Sequence, residues 1–252
     1  MNFVDLKIEN NIGIVTLNRE PINALTYEMY QEIKEIFQSI NEMDDIRLVI
    51  LRAEGRMFSP GNDVSEFKTL QEGTRDYADM VKTSIASVYE CRVPVIGAIH
   101  GVALGAGMAI AACCDILVAS EETVFGIPEI KVGIIGAAEF ADLLVPRKVL
   151  NYMALTGNPI TAKEIQSYGG IKKVVSRERL MNAAYEIADE FLAVGPIALR
   201  YFKEALQTNL DAKLVDKYTL EASYTEKYSE TEDFMEAVTS FLEKRKPQYK
   251  GK

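Results

Sequence analysis

Val93-Pro94-Val95-Ile96-Gly97-Ala98-Ile99-His100-Gly101-Val102-Ala103-Leu104-Gly105-Ala106-Gly107-Met108-Ala109-Ile110-Ala111-Ala112-Cys113-Cys114 runs for 22 residues without a charge. That is long enough to cross a bilayer. Its content argues against a span, because it holds Pro94, His100, four glycines and six alanines, with few large aliphatic side chains. It reads instead as a buried strand over 93–99, a glycine-spaced turn over 101–107 and a helix of small residues. Strand, tight turn and helix in succession form the unit of a layered α/β protein with crossover connections.

The same unit is legible on either side. Val4, Leu6 and Ile8 alternate with Asp5, Lys7 and Glu9, the mark of a half-buried strand. Asn10-Asn11 makes a turn, and residues 12–17 return as a second strand. After a loop broken by Pro21, Thr26 can cap a helix with the apolar stripe Met29, Tyr30, Ile33, Ile36, Phe37, Ile40 and Met43. Residues 48–51 are a short apolar strand. A loop over 55–63 follows, then a helix with Tyr77, Met80, Val81, Ile85, Val88 and Tyr89 on one face. Beyond the opening stretch, residues 115–119 form another strand. From about Thr161 the pattern is helical apart from residues 171–175. The expectation is an α/β core over 1–190 and a helical region over 191–252. The rings of Tyr201, Phe202, Tyr218, Phe234 and Phe241 then need a core of their own or a neighbouring subunit.

Composition narrows the function. The chain has 252 residues, 48% apolar and 26% charged, enough to bury a full core without metals or disulfides. Its 37 acidic and 28 basic residues give a net charge of −9, which opposes a sequence-independent grip on nucleic acid or an anionic membrane. His100 is the only histidine and the cysteines number three, a poor basis for a zinc site, so no metal is expected. Cys91, Cys113 and Cys114 are odd in count and two are adjacent, so no disulfide framework is expected. The first residues, MNFVDLKIEN, lack a basic region followed by an apolar one, and a cytoplasmic setting is expected.

Three stretches carry candidate chemistry. Met57-Phe58-Ser59-Pro60-Gly61-Asn62-Asp63 leaves the end of a buried strand, where α/β proteins place ligands. Gly61 lets the backbone turn the Asn62 N–H into a cleft. A plain strand-to-helix turn capped by Asn62 or Asp63 fits the same residues. Gly101 to Gly107 opens a helix, and its unpaired N–H groups suit a developing oxyanion. The glycine spacing is not that of a dinucleotide fingerprint, and close packing of small residues is the other reading. Phe125-Gly126-Ile127-Pro128-Glu129 ends on a carboxylate among Ile127, Ile130, Val132 and Ile134. Burial there favours the protonated form, as proton transfer needs, while a helix-start or surface acid is the alternative. His100 reads as a packed strand-end residue, Cys113-Cys114 as buried filling, and Lys244-Arg245-Lys246 with Lys250 and Lys252 as a solvated end.

Taken in order, these pieces resemble the crotonase (enoyl-CoA hydratase/isomerase) superfamily. The resemblance runs through Asn23-Ala24-Leu25, Phe58 to Asp63, Pro94 to Ala98, Gly101 to Gly107, Cys114-Asp115-Ile116, Phe125 to Lys131, Leu155-Thr156-Gly157 and Phe241 to Lys246. It implies a crotonase-like spiral of strand-strand-helix units with a C-terminal helical part that builds trimers or dimers of trimers. It implies an acyl-CoA thioester as substrate, with coenzyme A part of that substrate and no separate cofactor. The thioester enolate would be held by the backbone N–H groups of Asn62 and Ala106, beside Gly105. The CoA moiety would follow Asn23, Ala24 and Leu25 and the loop with Ser59, Gly61, Asp63 and Val64, with Lys244 reaching its phosphates. Phe67, Leu70 and Tyr77 would wall the acyl pocket.

The departures bear on the reaction. Family hydratases resemble one another in two glutamates; one matches Glu129, and Ala109 stands at the other position. Hydration uses two carboxylates, whereas moving a double bond needs one. The pattern is similar to a mitochondrial-type Δ3,Δ2-enoyl-CoA isomerase, and so is the stretch Gly133 to Ala141, which lacks the hydratases' proline-and-glycine-rich loop. Glu139 falls where other members place a catalytic acid, and either restores hydration as a second carboxylate or starts a helix. The expected activity is therefore isomerisation of 3-enoyl-CoA by Glu129. The alternatives are hydration by Glu129 with Glu139, and a non-catalytic acyl-CoA binder. The same enolate site also supports decarboxylation or ring-opening hydrolysis.

Overall fold

The computed structural model describes residues 2–66, 74–193, 195–210, 219, 226, 229–245 and 248. β1 (Val4–Glu9) and β2 (Ile12–Leu17) pair antiparallel, with Val4 opposite Leu17 and Glu9 opposite Ile12. Asn10 and Asn11 between them both have positive φ, 51° and 65°, the geometry a two-residue hairpin turn asks for and Asn tolerates. α1 (Tyr27–Asn41) starts where the Thr26 hydroxyl accepts the Met29 N–H at 3.3 Å. Its stripe from Met29 to Ile40 is buried. Glu32 on the same helix is buried too, and its carboxylate accepts the N–H groups of Asn2, Phe3 and Val4 at 2.6–2.8 Å, which ties the first strand to the helix.

The remaining strands are β3 (Leu48–Ala53), β4 (Val95–Ile99), β5 (Val102–Leu104), β6 (Ile116–Ser120), β7 (Val124–Gly126), β8 (Ile160–Thr161) and β9 (Lys173–Val175). The helices are α2 (Thr74–Tyr89), α3 (Ala106–Ala112), α4 (Ala138–Ala141), α5 (Arg147–Thr156), α6 (Ala162–Ser167), α7 (Leu180–Leu192) and α8 (Pro196–Leu210), followed by a helix over Glu232–Leu242. Six strands form one sheet in the order β1-β2-β3-β4-β6-β9, parallel from β2 onward. Side chains alternate between its faces. Val15, Leu17, Val49, Leu51, Val95, Ile99, Leu117 and Ala119 join the main core with α1, α2 and α3. Ile12, Ile14, Leu48, Ile50, Ile96, Ala98 and Val118 meet Leu180, Ala183, Ala184, Ile187 and Ala188 of α7. The core boundary expected at 190 thus falls inside α7, whose buried face belongs to the sheet.

A second sheet, β5-β7-β8, corrects the reading of residues 101–107 as turn alone. Val102, Ala103 and Leu104 pair parallel with Val124, Phe125 and Gly126, and β7 pairs antiparallel with β8. Strands of two or three residues are too short to show a period of two in sequence. The uncharged stretch that opens the sequence reading is therefore β4, β5 and α3; among the described residues no helix is long and apolar enough to cross a membrane. All three cysteines are free and buried.

In the C-terminal region, Lys203 of α8 is buried and donates to Val93 O at 3.0 Å and to Asp115 Oδ2 at 2.6 Å. The helix Glu232–Leu242 buries Phe234 and Val238 and packs on the 3-10 turn Pro128–Val132. Phe234 thus finds its place within the chain. Tyr201 and Phe202 on α8 are 69% and 70% exposed, and Phe241 is 50% exposed. Tyr218 lies outside the described residues.

Candidate active site

Two loops leave the carboxyl ends of β3 and β4 and are laced together by backbone hydrogen bonds. Phe58 N donates to His100 O at 2.9 Å, Ser59 N to Val102 O at 2.9 Å, and Leu104 N to Ser59 O at 3.0 Å. A third segment joins them from the other side: Leu25 N donates to Gly61 O and Asp63 N to Leu25 O, both at 2.8 Å. The contact tolerates no side chain at the glycines. A Cβ on Gly61, whose φ is +96°, would lie 2.9 Å from Leu104 O and 3.5 Å from Ala106 N. A Cβ on Gly107 would lie 2.5 Å from Ser59 O. These glycines bring the two backbones within touching distance.

That lacing aims two N–H groups. In a trans peptide the C=O and the following N–H point opposite ways. Gly61 O accepts Leu25 N, so the Asn62 N–H on the same peptide faces away from Leu25. Gly105 O accepts Ala109 N inside α3, so the Ala106 N–H points out of the helix start. Gly105 N is itself held by Gly126 O at 2.8 Å. Among the described residues, neither the Asn62 nor the Ala106 N–H has an acceptor within the chain. The structure brings both donors to one point, where Gly61 meets Ala106.

Glu129 closes the same point. It sits in the first turn of Pro128–Val132, which follows β7 and ends at Gly133 with φ +72°. A Cβ on Gly105, whose φ is +52°, would lie 2.0 Å from Glu129 Oε1. The carboxylate therefore rests on the Gly105 backbone, beside the Ala106 donor. Of the apolar run around it in sequence, Ile127 is buried, Ile134 packs on the main core and Ile130 is 45% exposed. The glycine turn packs against the carboxylate itself. Ala109, one turn into α3, is wholly buried.

Glu139 lies in the first turn of α4, after Ala137 at φ +68°. It is half-buried and forms an ion pair with Arg147 at 3.8 Å, which also reaches Asp142 at 3.2 Å. The remaining candidates divide by what their side chains touch. Asn23 is fully buried at φ +55°; its Oδ1 accepts Arg19 N, and its Nδ2 donates to Glu54 O and Met57 O. Ser59, also buried, donates to Asn23 O at 2.8 Å and accepts Gly61 N at 3.2 Å. These two side chains hold the loops from inside. Asp63 pairs with Arg19 at 2.8 Å. Burial pushes its carboxyl up, but bonds from Ser65 and the Arg19 guanidinium outweigh that and hold it below the usual range. Arg19 also donates to Ala24 O at 2.8 Å. Val64 is half-buried against the main core. Lys244, at φ +53°, ends the last helix on the surface. Tyr77 is buried against Tyr27 and Tyr30, while Phe67 and Leu70 lie outside the described residues.

His100 is buried, and its Nε2 lies 3.3 Å from Gly55 O. Burial, then the nearby Arg177, holds it below the ordinary imidazole range. Its place is structural, at the seam of the two loops. Leu25, expected beside CoA, also ties the loop over 59–63 through its backbone, which leaves no mark in residue type. Sequence reasoning missed one contributor. Tyr30 lies within the apolar stripe of α1, yet its hydroxyl donates to Asn62 Oδ1. A tyrosine among aliphatics was the available signal, since a buried phenol needs a partner.

Comparison with known proteins agrees with this geometry. Residues 7–252 match the family described as enoyl-CoA hydratase/isomerase. A short-chain-enoyl-CoA hydratase of Clostridium acetobutylicum is 32% identical over 253 residues, covering 98% of this chain and 97% of the relative. A (7aS)-7a-methyl-1,5-dioxo-2,3,5,6,7,7a-hexahydro-1H-indene-carboxyl-CoA hydrolase of Rhodococcus jostii is 33% identical over 222 residues, 86% of this chain and 84% of the relative. The crystal structure of an enoyl-CoA hydratase/isomerase from Pseudoalteromonas atlantica superposes with a TM-score of 0.88 at 27% identity, covering 98% of this chain and 99% of that one.

Proposed function

Because the chain belongs to the enoyl-CoA hydratase/isomerase family, we propose that it isomerises 3-enoyl-CoA thioesters to 2-enoyl-CoA with a single glutamate. The observation that carries this reading is the Glu129 carboxylate against the Gly105 turn, with Ala109 in the helix position of the second family glutamate. The thioester oxygen accepts the Asn62 and Ala106 N–H groups. Glu129 takes a proton from the α carbon, and the electron pair delocalises directly onto the thioester oxygen and, through the alkene, onto the γ carbon. The two donors stabilise that charge, each by roughly 3–4 kcal/mol as in other oxyanion holes. Glu129 then returns the proton at the γ carbon, leaving the double bond conjugated. Atoms balance with no water consumed.

The CoA moiety runs beside Ala24 and Leu25 and the loop over 59–64, whose contribution is mainly backbone. Lys244, from this or a neighbouring subunit, meets its phosphates. The exposed Tyr201 and Phe202 support association into trimers or dimers of trimers, whose stoichiometry sedimentation equilibrium reads directly. A second reading, hydration with Glu139 as the second acid, is favoured by the names of relatives such as the C. acetobutylicum enzyme. The Glu139–Arg147 pair argues for the first, because it engages Glu139 with a neighbouring cation.

The deciding experiment offers 3-enoyl-CoA and 2-enoyl-CoA separately and follows the conjugated thioester absorbance. Isomerisation predicts that conjugation grows from the first substrate and persists with the second. Glu129→Gln is expected to lower the rate by about 10²–10⁴-fold. Loss of conjugation from 2-enoyl-CoA would instead establish hydration and overturn the isomerase reading.

A further inference from the structure

The Gly61–Asn62 peptide is gripped at its carbonyl by Leu25. The Asn62 side chain is gripped from elsewhere. Tyr30 is fully buried on α1, and its hydroxyl donates to Asn62 Oδ1. The ring has little freedom to move, because Tyr77 of α2 meets it edge-on, with centroids 6.3 Å apart and planes at 84°. A phenol anchored in the first helix thus reaches the residue of that loop whose N–H faces away from Leu25. We infer that Tyr30 is a positioning residue for the enolate site, fixing the direction of the Asn62 N–H through the Asn62 side chain. The inference rests on the reading above, in which that N–H receives the thioester oxygen.

The physical argument is directional. A hydrogen bond weakens steeply as the N–H swings off the line to its acceptor. Leu25 holds the two peptides flanking Asn62 from one face, through Gly61 O and Asp63 N; with the side chain untethered, the Cα can still rock about the axis of that pair of bonds and carry the N–H with it. The tether restrains the rocking before substrate arrives, so no reorganisation is needed as charge develops. Packing alone does not call for the hydroxyl, since a phenylalanine fills the same space. Removing only the oxygen therefore separates positioning from core filling.

The test uses the full chain and three variants: Tyr30→Phe, Asn62→Ala, and both together. The first readout is the absorption of bound cinnamoyl-CoA, which moves to the red as its carbonyl is polarised. The second is steady-state isomerisation of 3-enoyl-CoA. Tyr30→Phe is expected to shrink the red shift and lower kcat roughly tenfold, with KM changed less than about twofold. In the Asn62→Ala background it is expected to cost nothing further, because the two residues act as a unit. A Tyr30→Phe protein with the parent's red shift and kcat would overturn the inference, whatever happens to its melting temperature. So would an equal loss with Asn62 already replaced. If the parent protein itself binds cinnamoyl-CoA without any red shift, the enolate reading falls, and the inference with it. That result is distinguishable because it appears before any substitution is made.

Discussion

The donor half and the carboxylate half of the site are built differently. The donors sit on loops cross-linked by at least five backbone hydrogen bonds, with Asn23 and Ser59 buried beneath them. The carboxylates sit on short, half-buried pieces: a five-residue 3-10 turn for Glu129 and a four-residue helix for Glu139, neither with a side-chain cap. The difference fits the tasks proposed for them. Charge on a thioester oxygen is stabilised only by dipoles already in place. A base must reach a substrate carbon and give its proton back, which an acid on a short turn can do. On the proposed reading the donors are constant and the acids set the reaction, with Ala109 in place of a second glutamate.

The most severe way to break the comparison is to disturb the lacing. Gly61→Ala puts a Cβ 2.9 Å from Leu104 O at a φ of +96°, so the two loops must part. Both donors lose their aim together. A fall in kcat of about 10²–10³-fold is expected, with the red shift of bound cinnamoyl-CoA lost as well. A Gly61→Ala protein that keeps both properties would mean the donors do not depend on the lacing. The carboxylate half answers differently. Glu139→Gln removes a charge whose ion-pair partner, Arg147, is half exposed. If Glu139 only starts α4, isomerase activity should stay within about threefold of the parent, as for loss of an exposed ion pair. A fall of about a hundredfold or more, the scale of a lost general acid, would make Glu139 a working acid and erase the asymmetry between it and Glu129.

Much of this arrangement was legible in the sequence, and what was not has physical reasons. The strand–turn–helix at 93–114 was readable because a long uncharged run with glycines has few other folds. The stripe of α1 was readable because its period is that of a helix. β5 and β8 were not, because three and two residues define no period. Glu129, Asn62 and Ala106 are singled out by ordered resemblance; periodicity alone leaves Glu129 a surface acid. Ile130, next to Glu129, is 45% exposed, so an apolar run in sequence does not by itself make an apolar shell. The backbone bonds from Leu25 to Gly61 and Asp63 are not legible either, because no residue type encodes them.

The smallest expected effect lies at the seam between the loops, and it is a pH effect. His100 is buried near Gly55 O, and burial with the charge of Arg177 keeps its folded pKa below the ordinary value of 6.5. Below pH 6.5 the unfolded chain takes up a proton that the folded chain refuses. The stabilisation from neutral His100 is therefore complete above that value and is lost as the pH falls toward the folded pKa. Between about pH 7.5 and about pH 5.5, on either side of the ordinary imidazole value, the melting temperature should thus fall further for the parent than for His100→Gln, which has nothing to protonate there. Because His100 O accepts Phe58 N at the start of the lacing, the lost stability should appear as lower protection from amide exchange, relative to the intrinsic rate at each pH, at Phe58 and Ser59 in acid, and not in the turn that carries Glu129. Equal acid sensitivity in both proteins would move the pH response to the carboxylate half, and would make the acids the pH-sensitive part of the site.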